Sequence, residues 1–265
     1  MTRKTTVFGL RTMAVLVCGG LAAGCSAPGQ AEPSWTTQPE ASPSTAAPTA
    51  MGTPSTAPTA SETPGSRAPE AAATAAAWKT FTDAGKTVSF DLPEEWIAQS
   101  VPPEEGTLAG ALKVEVKKPD GTVIAVLRTG LPPSASECAE AARRPYTVIS
   151  SVPVDLPSLT GEGTIAPHVV FRVIQGYRYF GSFGITNVVG GTDSQACELR
   201  NVVRGPAGKG DYSFGDMPVL KAFAPDEKVA PAKAFDTLDQ AAKYVDEGTE
   251  FANVQRMLMS LEIKN

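Results

Sequence analysis

Leu112-Lys113-Val114-Glu115-Val116-Lys117-Lys118-Pro119-Asp120-Gly121-Thr122-Val123-Ile124-Ala125-Val126-Leu127 is the stretch that decides the fold. Leu112, Val114 and Val116 alternate with Lys113, Glu115 and Lys117, the period of a strand with one buried and one wet face. Pro119-Asp120-Gly121 supplies a turn, and Thr122 to Leu127 returns as an almost wholly apolar run. The pair predicts an antiparallel hairpin whose second strand is central in its sheet.

Toward the N-terminus, Thr87-Val88-Ser89-Phe90-Asp91 alternates and is closed by Leu92-Pro93, a strand running into a turn before Trp96. Toward the C-terminus, Ser134 to Arg144 predicts a helix, with Ser134 and Glu137 spaced as a capping box, Cys138 in its first turns and Pro145 as its stop. Tyr146–Val154, His168–Ile174, Tyr177–Ile185 and Ala196–Val203 are rich in β-branched and aromatic residues between glycines and prolines, which predicts four more strands. Thr237 to Val245 predicts a helix with Gly248 as its C-cap, and Thr249 opens another. Phe251, Val254, Leu258 and Leu261 form one apolar stripe on that last helix, suited to packing on a sheet. Strands, a helix, strands and two helices in that order indicate an α+β domain with a mainly antiparallel sheet packed by helices. It occupies 78–265, long enough for one hydrophobic core.

The segment before that domain has a different composition. Arg3, Lys4 and Arg11 precede an apolar run from Met13 to Ala23, which ends in Leu21-Ala22-Ala23-Gly24-Cys25. A positive start, an apolar stretch and small residues before a cut site make an export signal over 1–24. A spanning helix needs about 20 consecutive apolar residues, and this run is shorter and broken by Gly19 and Gly20. The segment resembles the bacterial lipoprotein signal, in which the Cys after the cut receives a diacylglycerol. Here Ala22 stands where that signal usually has Leu, with Leu21 one position back. The resemblance implies Cys25 as the lipidation site, palmitate-type acyl chains and attachment to the outer face of the cell membrane; an ordinary secretory signal cut elsewhere is the alternative. Each buried methylene contributes about 0.8 kcal/mol, so two acyl chains hold a protein at a membrane without spanning it. Ser26 to Ala77 is Pro, Thr, Ser and Ala with few larger apolar side chains, a composition that cannot offset the entropy of ordering its backbone. Residues 25–77 therefore read as the lipidated cysteine and a disordered tether, on the order of 40 Å long as a flexible coil and up to about 160 Å as polyproline II.

Cleavage before Cys25 removes Arg3, Lys4 and Arg11 and no acid, taking the formal charge from −5 to −8. An acidic chain without a basic patch lacks the footprint of a nucleic-acid binder. The partners that remain are the membrane, through the lipid, and a cell-wall or envelope protein. Cys18 leaves with the signal and Cys25 is consumed, so Cys138 and Cys197 are the only pair left for an intramolecular disulfide in an oxidising compartment. Two inert buried thiols or a reactive nucleophile are the other uses. A bridge closing a loop of about 60 residues would stabilise the fold by about 4 kcal/mol in the chain-entropy account.

No constellation specifies a chemistry, so no catalytic residue, cofactor or metal ligand is assigned. His168 is the single histidine, which argues against a histidine-based metal site. A Ser/His/Asp triad built on His168 stays open because triads are recognised by geometry, although Pro167 before it suggests a structural histidine at a strand end. Gly205-Pro206-Ala207-Gly208-Lys209-Gly210 lacks the Ser or Thr that must follow Gly-Lys in a phosphate loop, and reads as a loose turn. Glu94-Glu95 and Glu104-Glu105 are neighbours on turns, not carboxylates facing across a substrate. The most suggestive patch is Tyr177-Arg178-Tyr179-Phe180-Gly181-Ser182-Phe183-Gly184. On a strand, Tyr177, Tyr179 and Phe183 would share a face beside Arg178, with Gly181 and Gly184 admitting a ligand or another backbone. Cross-strand aromatic pairing is the ordinary use of such residues.

Val88-Ser89-Phe90-Asp91-Leu92-Pro93-Glu94-Glu95-Trp96 and the closing helix from Phe251 to Met259-Ser260-Leu261 resemble the actinobacterial surface lipoproteins with a PsbP/Mog1-like αβα fold. The resemblance covers the two ends of the domain and implies a non-catalytic binding or assembly module of the envelope. Two other functions stay open: an envelope hydrolase using His168, and capture of a small molecule or sugar over Tyr177, Arg178, Tyr179 and Phe183.

Overall fold

A computed structural model describes residues 74–133, 138–191 and 193–264. The predicted export signal with Cys25, all but the last residues of the predicted tether, and the predicted Ser134/Glu137 capping pair lie outside the described residues. Fourteen strands and two α-helices follow in the order β1 (Trp78–Thr82), β2 (Val88–Pro93), β3 (Ile97–Val101), β4 (Lys113–Lys117), β5 (Val123–Leu131), β6 (Arg144–Pro153), β7 (Thr164–Gln175), β8 (Tyr179–Val188), β9 (Gln195–Ala196), β10 (Glu198–Arg200), β11 (Asp211–Gly215), β12 (Val219–Lys221), β13 (Lys233–Phe235), α1 (Leu238–Asp246), α2 (Thr249–Met259) and β14 (Glu262–Ile263).

The hairpin forms as its sequence predicts. Val114 pairs with Leu127 and Val116 with Ala125 across antiparallel β4 and β5. The turn closes with Gly121 N–H on Lys118 O (2.9 Å) and Gly121 at φ +82°. β5 lies inside a nine-stranded sheet ordered β3-β4-β5-β11-β8-β7-β6-β9, with β13 added to β8. A smaller sheet, β1-β2-β14, and a ribbon, β10-β12, complete the strands. Every pairing is antiparallel.

Period-two alternation divides β7 and β8 between two cores. Val169, Phe171 and Val173 of β7 and Phe183 and Ile185 of β8 face the larger core, with Val88, Phe90 and Leu92 of β2. Phe251, Val254, Met257 and Leu258 of α2 close that core, so the predicted stripe is its lid, and Leu261 joins it just past the helix end. Ile174 and Phe180 face the other way, against Leu199, Leu220 and Phe223. This second face is covered by the β10-β12 ribbon and its flanking loops, whereas α2 and the buried Ala241 of α1 belong to the first. Thr237 caps α1 by accepting Gln240 N–H (3.2 Å). Ser260 ties the end of α2 to β2: its hydroxyl donates to Met257 O (2.7 Å) and accepts Asp91 N–H (2.8 Å). The last residues assigned to the tether also belong to the domain, since Ala75 N–H donates to Asn253 Oδ1 (2.7 Å).

Three expectations change. The helix over Ser134–Arg144 is not there in its described part: only Glu140–Ala142 form a short 3-10 turn, and Arg144 opens β6. Its cause is the disulfide between Cys138 and Cys197 (Cα–Cα 5.6 Å), together with the pairing of Arg144 and Pro145 with β9, which draw the segment into extended chain. Gly248 is the N-cap of α2, while Glu247 ends α1. Ala196–Val203 divides into β9, β10 and a single bridge from Val203 to Tyr212, because the disulfide at Cys197 interrupts it.

Candidate functional site

A half-open cleft of about 460 Å³ lies where the small sheet meets loops of the large one. Val88 of β2 and Ile263 of β14 form one wall, held in register by Lys264 N–H on Thr87 O (2.8 Å). Leu108, on the turn before β4, forms the opposite wall; its N–H donates to Gly130 O (2.8 Å), leaving the side chain 45% exposed at the mouth. Tyr212 lies behind, fully packed, its hydroxyl donating to Pro157 O (2.7 Å). Burial raises the Tyr212 phenol well above its usual range, so it stays a neutral donor. The Gly205–Gly210 segment is the remaining wall. It is a closed turn, with Lys209 N–H on Pro206 O (3.0 Å), where its sequence suggested a loose one. Of all the lining side chains only Lys209 and Lys264 carry a formal charge, and neither makes an ion pair with another described residue.

A second constellation is buried beneath the β10-β12 ribbon. Arg172 of β7, fully enclosed, donates through Nη2 to Arg200 O (2.6 Å) and Asn201 Oδ1 (2.9 Å). Asn201 Nδ2 donates to Ser182 Oγ (2.7 Å) and Met217 O (2.9 Å), and Ser182 donates to Asp216. Burial pushes the Asp216 carboxyl up to about 7, against the lowering effects of Ser182 and Lys233. Burial also draws the Arg172 guanidinium down to about 10, which leaves it cationic at neutral pH. All four side chains are at most 6% exposed and tie β7 and β8 to the ends of β10 and β11. Among the described residues the Ser182 hydroxyl has the Asp216 carboxyl and the Asn201 amide as its partners and no histidine.

A third cluster ties α2 to the sheet. Glu250 accepts from Lys118 (2.9 Å) and Lys233 (2.9 Å), and Tyr244 donates to it (3.1 Å). Partial burial would raise the Glu250 carboxyl, but the two lysines outweigh it and hold it at about 2.

The structure does not bring the proposed aromatic face together. Phe183 points into the larger core and is fully buried, its ring 6.5 Å from Phe251. Tyr177 and Arg178 precede β8 in the turn from β7, so alternation does not reach them. Tyr177 is 52% exposed and stacks edge-on against Phe180 (5.3 Å), which belongs to the other core. Arg178 pairs with Asp236 (2.8 Å), and half-buried Tyr179 lies opposite Gln175 and Phe235. Nor do the glycines admit a ligand: a Cβ on Gly181 would lie 2.7 Å from Phe171, and one on Gly184 2.6 Å from Asn201. Their space is filled by the protein's own side chains. His168 lies on β7 opposite Pro153 and Thr186, its Nδ1 2.7 Å from Ala166 O. Among the described residues its ring has neither a serine nor a carboxylate as a hydrogen-bond partner, and no three His, Cys, Asp or Glu side chains are grouped to hold a metal ion.

Sequence reasoning missed the cleft because its walls come from six separated segments with no motif in common. The one available signal was Lys209 within a glycine-rich turn. The chain matches no protein-family model, no curated protein and no solved structure.

Proposed function

We propose that this chain is a lipid-anchored lipoprotein on the outer face of the cell membrane, whose domain is a non-catalytic binding or assembly module of the envelope. The observation that carries the reading is the Cys138–Cys197 bond. Structural disulfides persist in oxidising compartments and are rare in the cytosol. The two cysteines that form it are the two left over once the signal is cut before Cys25. Signal and disulfide thus support the same address independently. The same reading groups the domain with the PsbP/Mog1-like lipoproteins, supported by β2 running into the Pro93–Trp96 turn (Trp96 N–H on Pro93 O, 2.9 Å) and by α2 packed upon it. Binding is favoured over hydrolysis because the cleft of about 460 Å³ is lined by apolar groups and two lysines, while His168 Nδ1 is engaged with the carbonyl of Ala166.

Intact-mass measurement of protein extracted from host membranes tests the anchor. The expected species lacks 1–24 and carries a diacylglyceryl thioether on Cys25, and Cys25→Ala moves the protein into the medium. A membrane-bound species with a free thiol at Cys25 overturns the reading.

A further inference from the structure

We infer that the cleft between β2, β14 and the Gly205–Gly210 turn is a binding site for a small amphipathic anion, an apolar body carrying a carboxylate or phosphate. This deepens the binding reading above by naming a site and a ligand class, and it rests on that reading only for where the ligand is met. A volume of about 460 Å³ falls in the range of small-molecule sites. Its lining presents apolar side chains to water: Leu108 is 45% exposed, and Ala111, Pro157, Pro206 and Ile263 are half-buried. An aqueous cleft so lined gains from any occupant that removes these surfaces from water.

Charge narrows the occupant. The whole chain is acidic, at −5, yet the formal charges of the lining are two cations and no anion. Lys209 stands on the exposed turn and Lys264 just after β14, and neither has an acidic partner among the described residues. The acids closest in sequence are held elsewhere. Glu262 accepts from Ser89 Oγ (3.3 Å), and Asp211 is buried behind the turn, where the Gly205 backbone N–H is its partner. Thr87 and Thr129 are the lining hydroxyls, and Tyr212 Oη is already spent on Pro157 O. An uncharged apolar molecule would leave both ammonium groups facing its surface, and a cation would be repelled. A molecule with one anionic end satisfies the rim lysines while its body covers the walls.

A matched pair of fluorescent probes with and without a charge separates the two contributions. Anilinonaphthalene sulfonate and its uncharged counterpart, phenyl naphthylamine, share an apolar body and differ in the sulfonate. On the full chain, the anionic probe should saturate a single site and bind about tenfold more tightly than the neutral one, each exposed lysine counting for a factor of a few. Lys209→Gln with Lys264→Gln should abolish the difference between the probes while the far-UV circular dichroism stays unchanged. Displacement of the sulfonate probe by decanoate assigns the natural head group to a carboxylate, and displacement by decyl phosphate to a phosphate. Equal binding of the two probes, no saturable binding, or displacement by neither compound overturns the inference. These are measurements in solution, so failure of the site leaves the lipid anchor untouched, and a missing thioether at Cys25 leaves the cleft untouched.

Discussion

Ser182 donates its hydroxyl hydrogen to Asp216 in the interior, joining the middle of β8 to the residue that follows β11. The cation that acts on that carboxylate is Lys233, which is itself bound to Glu250 at 2.9 Å. Arg172 reaches the pair only through Asn201, with 2.9 Å and 2.7 Å hydrogen bonds on either side of the amide. The carboxyl is therefore hydrogen-bonded but without a contacting counter-charge, and burial favours its neutral form.

The pH dependence of stability follows from that. A carboxyl held at about 7 in the fold and near 3.8 in the unfolded chain binds more protons when folded throughout the interval between them. Its contribution is complete below the unfolded value and is lost as pH rises through the folded one, on the order of 4 kcal/mol across the window. Urea unfolding at about pH 4.5, 6 and 7.5 should show stability falling with pH in the native chain and a flatter profile in Asp216→Asn. Parallel profiles would remove the buried carboxylate as the cause.

Glu250 has the opposite sign. Held at about 2 by Lys233 and Lys118 despite burial, it contributes stability above its unfolded value that disappears as pH falls toward 2. Its side chain is 29% exposed, so solvent screening leaves a contribution of about 1 to 2 kcal/mol. Glu250→Gln should lower the thermal midpoint at neutral pH and converge with the native chain near pH 2 to 3. A constant gap at every pH would mean that the substitution acts through packing.

The parts of the fold that were legible in the sequence are those whose local pattern is also their tertiary role. β4 and β5 alternate as their pairing demands, and Phe251, Val254 and Leu258 form a stripe because one face of α2 is buried. β11 was not legible, although it sits between β5 and β8. Asp211-Tyr212-Ser213-Phe214-Gly215 is short and half polar, and all five residues are buried because β5 and β8 flank them and Phe90 of β2 packs on Phe214. The Ser134–Arg144 pattern failed for the converse reason: a local helical spacing was overridden by a covalent bond to Cys197, distant in sequence. Tyr177, Tyr179 and Phe183 misled because strict alternation holds only within β8, and the turn ahead of it sends Tyr177 toward Phe180.

That difference between Phe183 and Tyr177 is measurable. Phe183→Ala removes a ring enclosed by the larger core and should cost about 3 to 5 kcal/mol. Tyr177→Ala removes one that is 52% exposed and packed along one edge, and should cost under about 1 kcal/mol. Chemical denaturation of the two variants distinguishes them. Comparable losses would place Tyr177 in the core, against its exposure.

The disulfide offers the sharpest test of how the second face is held. Cys138 and Cys197 are 59 residues apart, and the loop they close contains β6, β7 and β8, the strands that carry Arg172 and Ser182. Cutting the bond frees the unfolded chain, which by loop entropy alone costs about 4 kcal/mol, the native contacts being unchanged. It also releases the β9–β10 segment that sets Leu199 over Ile174 and Phe180, so the cost should exceed the entropic value if that segment frays. Cys138→Ser with Cys197→Ser should therefore lower the denaturation midpoint strongly. Backbone amides of Leu199 and Asn201 should exchange hydrogen faster, while those of β4 and β5 keep their protection. Uniformly faster exchange over both regions would show that the bond stabilises the domain as a whole and not the ribbon that covers its second face.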